Sequence, residues 1–74
     1  MDHKEGMVMQ LQQRLPQRLI GTWRRFGIFG PVYEIVSKER DLPNGDSLMR
    51  VRVVESGEEI AYKLTDILDD PKER

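Results

Sequence analysis

The 74-residue chain has no cysteine and a single histidine, and its apolar residues never form a long run. Without cysteine, disulfides and thiolate metal sites are excluded, and His3 has no neighbours at the spacing that metal ligands use. No apolar run exceeds three residues, whereas a signal peptide needs about 7–15 and a membrane span about 20. The composition therefore predicts a cytoplasmic protein with no cofactor, metal or membrane association.

The length and charge predict one small domain that gains from association. A chain this short buries only roughly 60% of its unfolded surface, so a partner subunit is a natural source of additional stability. The net charge is −1, but residues 1–33 carry five basic and two acidic side chains, while residues 34–74 carry seven basic and eleven acidic ones. Such asymmetry marks a partner surface in some proteins and two solvated faces in more.

Residues 1–18 form a polar, amphipathic leader. Its apolar residues recur at i, i+4 and i+8, which predicts one face of a short helix that is docked or frayed. Pro16 would clash with the carbonyl four residues earlier, so the helix is expected to end by Leu15. The candidate leader interface consists of Met7, Val8, Leu11 and Leu15.

From residue 19 onwards the pattern predicts strands and turns. Residues 19–26 and 32–39 suit two strands, and Pro43-Asn44-Gly45 suits a three-residue hairpin loop with a glycine bulge. In the third strand the alternation is clearest. The residues expected on one buried side of the third and fourth strands are Met49, Val51, Val53, Ile60, Tyr62 and Leu64.

A two-residue turn at Ser56-Gly57 would set Val53 opposite Ile60 and Arg50 opposite Lys63. The other hairpin would set Ile35 opposite Val53. Both hairpins then share one apolar face, which is informative because a slip of one residue would turn every side chain over.

The expected fold is mainly β: a small four-stranded antiparallel meander or SH3-like, partly closed barrel. A short N-terminal helix precedes it. A C-terminal helical turn is expected over residues 65–71, and either Thr65 or Asp66 can cap it. The domain is expected to span residues 19–71, with 72–74 as a tail.

Four segments carry a family resemblance. They are Arg25-Phe26-Gly27, the stretch Gly30 to Glu34, and the stretch Val51 to Glu59, followed by Leu64 to Pro71. The chain resembles a proteobacterial family of short proteins labelled as a domain of unknown function. The resemblance covers about residues 19–71 and implies a bacterial source and a compact domain. It carries over no activity and no catalytic residue.

No arrangement of residues predicts catalysis. Ser56 lies in a turn without a base beside it, and neighbouring carboxylates such as Glu58 and Glu59 point to opposite sides of a strand. The glycine-bearing loop 27–31 lacks the further glycines, the following helix and the lysine of phosphate-binding motifs. The sequence therefore predicts neither an enzyme nor a small-molecule substrate.

Aromatic and basic residues form a candidate contact surface. The leading hypothesis is a non-catalytic interaction module that binds itself or a bacterial partner protein through an edge strand and the leader. The alternative is a small regulatory barrel that binds nucleic acid, although the pI of about 5.8 is low for that role, and Glu34, Glu55 and Glu59 could neutralise the arginines. The surface consists of Trp23, Arg24, Arg25, Phe26, Phe29, Arg50 and Arg52.

Overall fold

A computed structural model describes residues 15–73 and shows an open five-stranded antiparallel sheet with two short helices. The sheet order is β4-β3-β2-β1-β5. The predicted β meander is confirmed. A fifth strand is added beside β1, and the sheet is open, not a partly closed barrel. The elements are α1 (15–19), β1 (Trp23–Arg25), β2 (Val32–Asp41), β3 (Ser47–Val53), β4 (Glu59–Lys63), α2 (Leu64–Asp69) and β5 (Lys72–Glu73).

The core lies between one face of the sheet and α2. Alternate residues of β2 and β3 point to the same side of the sheet, and α2 covers them with Leu64 and Ile67. Of the six residues predicted to be buried, Val53 and Tyr62 are half-buried and Ile60 remains 36% exposed at the sheet edge. The buried apolar residues are Tyr33, Ile35, Met49, Val51, Leu64 and Ile67.

The loop of the β2–β3 hairpin is as predicted. The Leu42 N–H donates to the Asp46 carbonyl at 2.8 Å, and Gly45 takes a φ of +90°. Further along, however, β2 contains irregularities between Ile35 and Ser37 and between Lys38 and Arg40. Each shifts the pairing by one residue, so Ile35 lies opposite Val51 and not opposite Val53. Two single shifts preserve the buried face while changing the partners.

The loop of the β3–β4 hairpin is longer than predicted. The Val53 N–H donates to the Glu58 carbonyl at 2.8 Å, which leaves four residues in the loop. A two-residue turn of the sequence Ser-Gly would need a positive φ at the serine or a glycine in its place. Only glycines take positive φ in the described chain. Consequently Arg50 lies opposite Ala61, and the predicted pairing with Lys63 is wrong.

The N-terminal boundaries also differ from the prediction. Helical structure does not end at Leu15, because residues 15–19 are helical and include a buried Pro16. A proline ring fixes φ near helical values, so helical residues can follow it. The first strand is only three residues long and begins after Gly21, whose φ is +87°.

The C-terminal helix begins one residue earlier than predicted. Lys63 is its N-cap and makes no side-chain cap, so neither Thr65 nor Asp66 has that role. Asp46 of the β2–β3 loop instead accepts hydrogen bonds from the Thr65 N–H at 3.3 Å and from its hydroxyl at 2.8 Å. The first hairpin loop thus satisfies an N-terminal donor of α2 that local capping would otherwise supply.

Candidate functional site

The outer face, defined as the side of the sheet away from α2, carries a continuous row of polar and aromatic residues. Trp23 lies opposite Glu34, which lies opposite Arg52, which lies opposite Glu59. Trp23 also pairs with Glu73 of β5 and is 43% exposed. The side chain of Trp23 is therefore part of the outer face and not of the core.

Carboxylates neutralise the two arginines of β3. Arg52 pairs with Glu34 at 2.8 Å and approaches Glu59 at 3.9 Å. Arg50 pairs with Glu39 and approaches Glu59 at 3.5 Å. Neutralisation by Glu34 and Glu59 is thus confirmed, while Glu39 takes the place predicted for Glu55.

Arg24 does not belong to an accessible surface, which corrects its predicted place there. Its side chain is only 6% exposed because it points to the core side of β1, opposite Tyr33. One guanidinium nitrogen donates to the main-chain carbonyl of Asp70 at 2.8 Å. Arg25 points to the other side and forms hydrogen bonds with the Glu73 carboxylate at 3.2 Å and the Gly30 carbonyl at 3.0 Å. Both arginines therefore fasten the C-terminal segment to β1.

The two phenylalanines have different environments. Phe26 is half-buried and packs on the ring of Tyr33 at 4.2 Å and on that of Tyr62 at 5.1 Å between centroids. Phe29 is 96% exposed, at the tip of the loop between β1 and β2 beside the exposed Ile28. Phe29 thus remains available as a contact residue, whereas Phe26 is structural.

Of the leader interface, only Leu15 falls within the described residues. Leu15 is half-buried and lines a groove of about 660 Å³ together with the β2–β3 loop and Leu64 and Leu68 of α2. Met7, Val8 and Leu11 lie outside the described residues, so their predicted role stays a prediction.

The Asp70 carboxylate organises a hydrogen-bond network that sequence reasoning missed. One oxygen accepts hydrogen bonds from the hydroxyls of Tyr33 at 2.7 Å and Tyr62 at 3.0 Å, and the other accepts one from the Gly27 N–H at 3.0 Å. Asp70 is only 9% exposed. The one available signal was an aspartate just before Pro71, which also suits an ordinary turn.

Burial and this carboxylate keep both tyrosines protonated. Burial, followed by the hydrogen bond to Asp70 and its negative charge, raises the pKa of Tyr62 to about 12. The same causes raise the pKa of Tyr33 well above its ordinary value. Because both hydroxyls stay neutral donors at physiological pH, the network acts as a latch between the sheet and the C-terminal segment.

Strand β4 forms an open edge of the sheet. It is hydrogen-bonded to β3 on one side, and no other described strand lies beside it. Its residues are exposed except for the half-buried Tyr62. The opposite edge is formed by β5, which is only two residues long and follows Pro71. Of the two edges, β4 therefore offers the longer row of unpaired backbone groups.

Two further features, a metal-binding cluster and a membrane-spanning helix, are absent from the described residues. Within residues 15–73, no group of three or more histidine, cysteine, aspartate or glutamate side chains is arranged to hold a metal ion. In the same part of the chain, neither helix has the length and hydrophobicity that crossing a bilayer requires.

Comparison with known proteins identifies the family to which this chain belongs. The family of unknown function DUF5397 matches residues 11–74. An uncharacterized protein of Haemophilus influenzae (strain Rd) is 36% identical over 64 residues, which cover 86% of this chain and 97% of that relative. The match includes the segments that carried the resemblance in the sequence, and it extends further towards the N-terminus. The chain belongs to the DUF5397 family.

Proposed function

We propose that this protein is a non-catalytic interaction module that binds a protein strand along its open β4 edge. The observation that carries the proposal is the exposure of β4 at the side of the sheet that no described strand covers. An extended segment of another chain can satisfy such an edge by main-chain hydrogen bonding, as in other strand-addition complexes. The cysteine-free composition keeps the cytoplasm as the expected location.

The composition of β4 supports this choice of surface. Natural edge strands are commonly protected by shortness, proline, bulges or charged side chains, lysine above all. Strand β5 is only two residues long, follows Pro71 and consists of charged residues. Strand β4 is five residues long and pairs regularly with β3 without a bulge. Its charged residues, Glu59 and Lys63, lie at its two ends, and its centre is uncharged.

The surface charge favours a protein over nucleic acid as the partner. Nucleic-acid affinity depends largely on cationic groups that can replace counterions around phosphate. Arg50 and Arg52 are already paired with glutamates on the outer face, and Arg24 is buried. These three arginines thus offer little of the positive field that the alternative hypothesis required.

The test compares Ala61→Pro with Ala61→Ser in the full chain. Proline removes the N–H of residue 61, which faces the open edge, while serine keeps it; neither change removes a hydrogen bond to β3. Each variant and the wild type serve as tagged baits in an extract of the encoding bacterium, and retained proteins are identified by mass spectrometry.

We expect proteins that the wild type and Ala61→Ser retain and Ala61→Pro loses. A Phe29→Ser bait separates the exposed loop tip from the edge, because Phe29 belongs to the β1–β2 loop and not to β4. If the Phe29→Ser bait loses the retained proteins and the Ala61→Pro bait does not, the proposed surface is contradicted.

A further inference from the structure

The pairing of β4 with β3 determines which backbone groups face the open edge. The Val53 N–H donates to the Glu58 carbonyl, and the register continues with Val51 opposite Ile60. In an antiparallel pair the hydrogen-bonding direction alternates from residue to residue. The backbone groups of Ile60 and Tyr62 therefore point to β3. Those of Glu59, Ala61 and Lys63 point away from the sheet.

The sequence of β4 is complementary to itself about Ala61. When a second copy runs antiparallel with Ala61 opposite Ala61, Glu59 lies opposite Lys63 of that copy at both ends. The residues brought together are those whose backbone groups face the open edge, so the hydrogen-bonding phase also agrees. Two-fold pairing about Glu59 or Lys63 would instead place like charges directly opposite, which is destabilising.

The side chains agree on both faces of such a pair. Opposed residues of an antiparallel pair point to the same side, so Glu59 and Lys63 would meet on the outer face and Ile60 would meet Tyr62 on the core side. Ile60 is 36% exposed at present and would gain an aromatic neighbour.

Both charged residues have capacity for this contact. Lys63 makes no ion pair with any residue of the described chain, and the approaches of Glu59 to Arg50 and Arg52 are long, at 3.5 and 3.9 Å. In this register Glu59 would share its carboxylate between Lys63 of the second copy and these longer ion pairs with Arg50 and Arg52, while Lys63 has no ion pair within the described chain to give up.

We infer that a second copy of this chain occupies the open edge, in a two-fold dimer that pairs β4 with β4 about Ala61 and joins the two sheets into one. The inference rests on the proposed function, because it names the partner of the same edge. A pair of five-residue strands is a small interface, so the dimer is reversible and its population depends on concentration.

Charge reversal tests the register directly. Glu59→Lys places lysines opposite each other at both ends of the pair, and Lys63→Glu does the same with glutamates. Each variant alone is expected to dimerise at least about tenfold more weakly than the wild type, since like charges oppose each other twice. An equimolar mixture restores both opposite-charge contacts and is expected to recover association.

The measurement is sedimentation equilibrium of the full chain across a wide concentration range, with circular dichroism as a check of folding. A wild type that stays monomeric throughout, or a mixture that associates no better than the separate variants, overturns the inference. If loss of the Glu59 contacts unfolds a variant, Ala61→Pro against Ala61→Ser replaces the charge pair, and dimerisation by Ala61→Pro overturns the inference equally.

The same variants separate this inference from the proposed function. If the wild type is monomeric but the Ala61→Pro bait still loses partners, the interaction module is supported and the dimer is excluded. If the wild type is monomeric and the Ala61→Pro and Ala61→Ser baits retain the same proteins, both the proposed function and the dimer are excluded.

Discussion

At the scale of the residue, one carboxylate connects three distant parts of the chain. Asp70 accepts hydrogen bonds from the loop after β1, from β2 and from β4, while its own carbonyl accepts one from Arg24. Hydrogen bonds to a buried charged group are stronger than those between neutral groups. Because short helical segments cover the core of this sheet, the Asp70 latch helps to hold the C-terminal segment against it.

Replacing Asp70 by asparagine should therefore destabilise the protein although the side chain keeps its shape. An amide cannot accept from both tyrosine hydroxyls and from the Gly27 N–H at once, so we expect a loss of about 2 kcal/mol in the free energy of unfolding. Urea denaturation measures it. The control is the exposed Asp69→Asn, which should change stability little; equal losses from both changes would contradict the latch.

The raised tyrosine pKa values predict a loss of stability at alkaline pH. The unfolded chain releases tyrosine protons near pH 10, while the pKa of Tyr62 in the folded protein is about 12. The stabilisation is thus fully present below pH 10 and disappears as pH rises towards 12. Ultraviolet absorbance of tyrosinate should show no native titration at pH 10 and normal titration in urea. Tyr62→Phe should make the alkaline loss of stability shallower.

Arg24 shows what composition cannot reveal about a single residue. Charged residues are rarely buried, so the alternation of aromatic and basic residues over 23–26 favoured Arg24 as a surface residue, while the strand pattern itself did not decide which side it faces. Trp23 and Arg25 occupy the outer face, and the alternation of β1 then sends Arg24 inward. Its partner is a carbonyl 46 residues later in the chain, a relationship that no local pattern contains.

At the scale of the element, loop chemistry determined which predictions succeeded. Proline, asparagine and glycine in sequence specify a three-residue loop, and that loop is present. The Ser56-Gly57 pair was predicted to form a two-residue turn, but the loop has four residues, and Gly57 takes the left-handed position at its end, with a φ of +77°. The alternation of β3 identified the buried face correctly in spite of both register errors, because each error was two residues.

Gly57 offers a test of that loop. An added Cβ would meet nothing within 4 Å, so the cost of Gly57→Ala is the left-handed backbone alone, roughly 1–2 kcal/mol. Asparagine tolerates this conformation better than alanine, and Gly57→Asn should therefore recover part of the loss. Thermal or urea unfolding measures both variants; an asparagine variant no more stable than the alanine variant would argue against the observed loop.

Amide hydrogen exchange tests the phase of β4. At protein concentrations that favour the monomer, the amides of Ile60 and Tyr62 should exchange slowly because they donate to β3. The amides of Glu59 and Ala61 should exchange quickly because they face the open edge. Nuclear magnetic resonance resolves them individually. The reverse pattern would mean that β4 is paired one residue out of phase.

At the scale of the whole molecule, the outer face is close to electrically balanced. The glutamates and arginines of adjacent strands alternate across it. Fluorescence anisotropy with labelled single- and double-stranded oligonucleotides should accordingly show no salt-sensitive binding at tens of micromolar protein. Binding that weakens steeply with added salt would revive the nucleic-acid hypothesis.

The β meander and its buried face could be predicted from the sequence, whereas the contacts that hold the C-terminal segment and α2 against the sheet could not. Alternating apolar residues and two turn signals suffice for a β meander and its buried face. Three features depend on contacts between residues far apart in the chain. They are strand β5, the Asp70 latch and the hydrogen bonds from the start of α2 to Asp46. For the same reason, Trp23 and Phe29 could be named as candidates but not placed.

The irregular pairing of β2 has a consequence for how chains of this kind can vary in length. Val36 and Glu39 have no directly opposed residue in β3. Either residue can therefore be deleted without moving the neighbouring side chains of β2 to the opposite face of the sheet. A homologue shorter by one residue between Ile35 and Asp41 can keep the same loop and the same buried tyrosine. Strand β3 has no such spare position, and a deletion there forces its neighbours to realign.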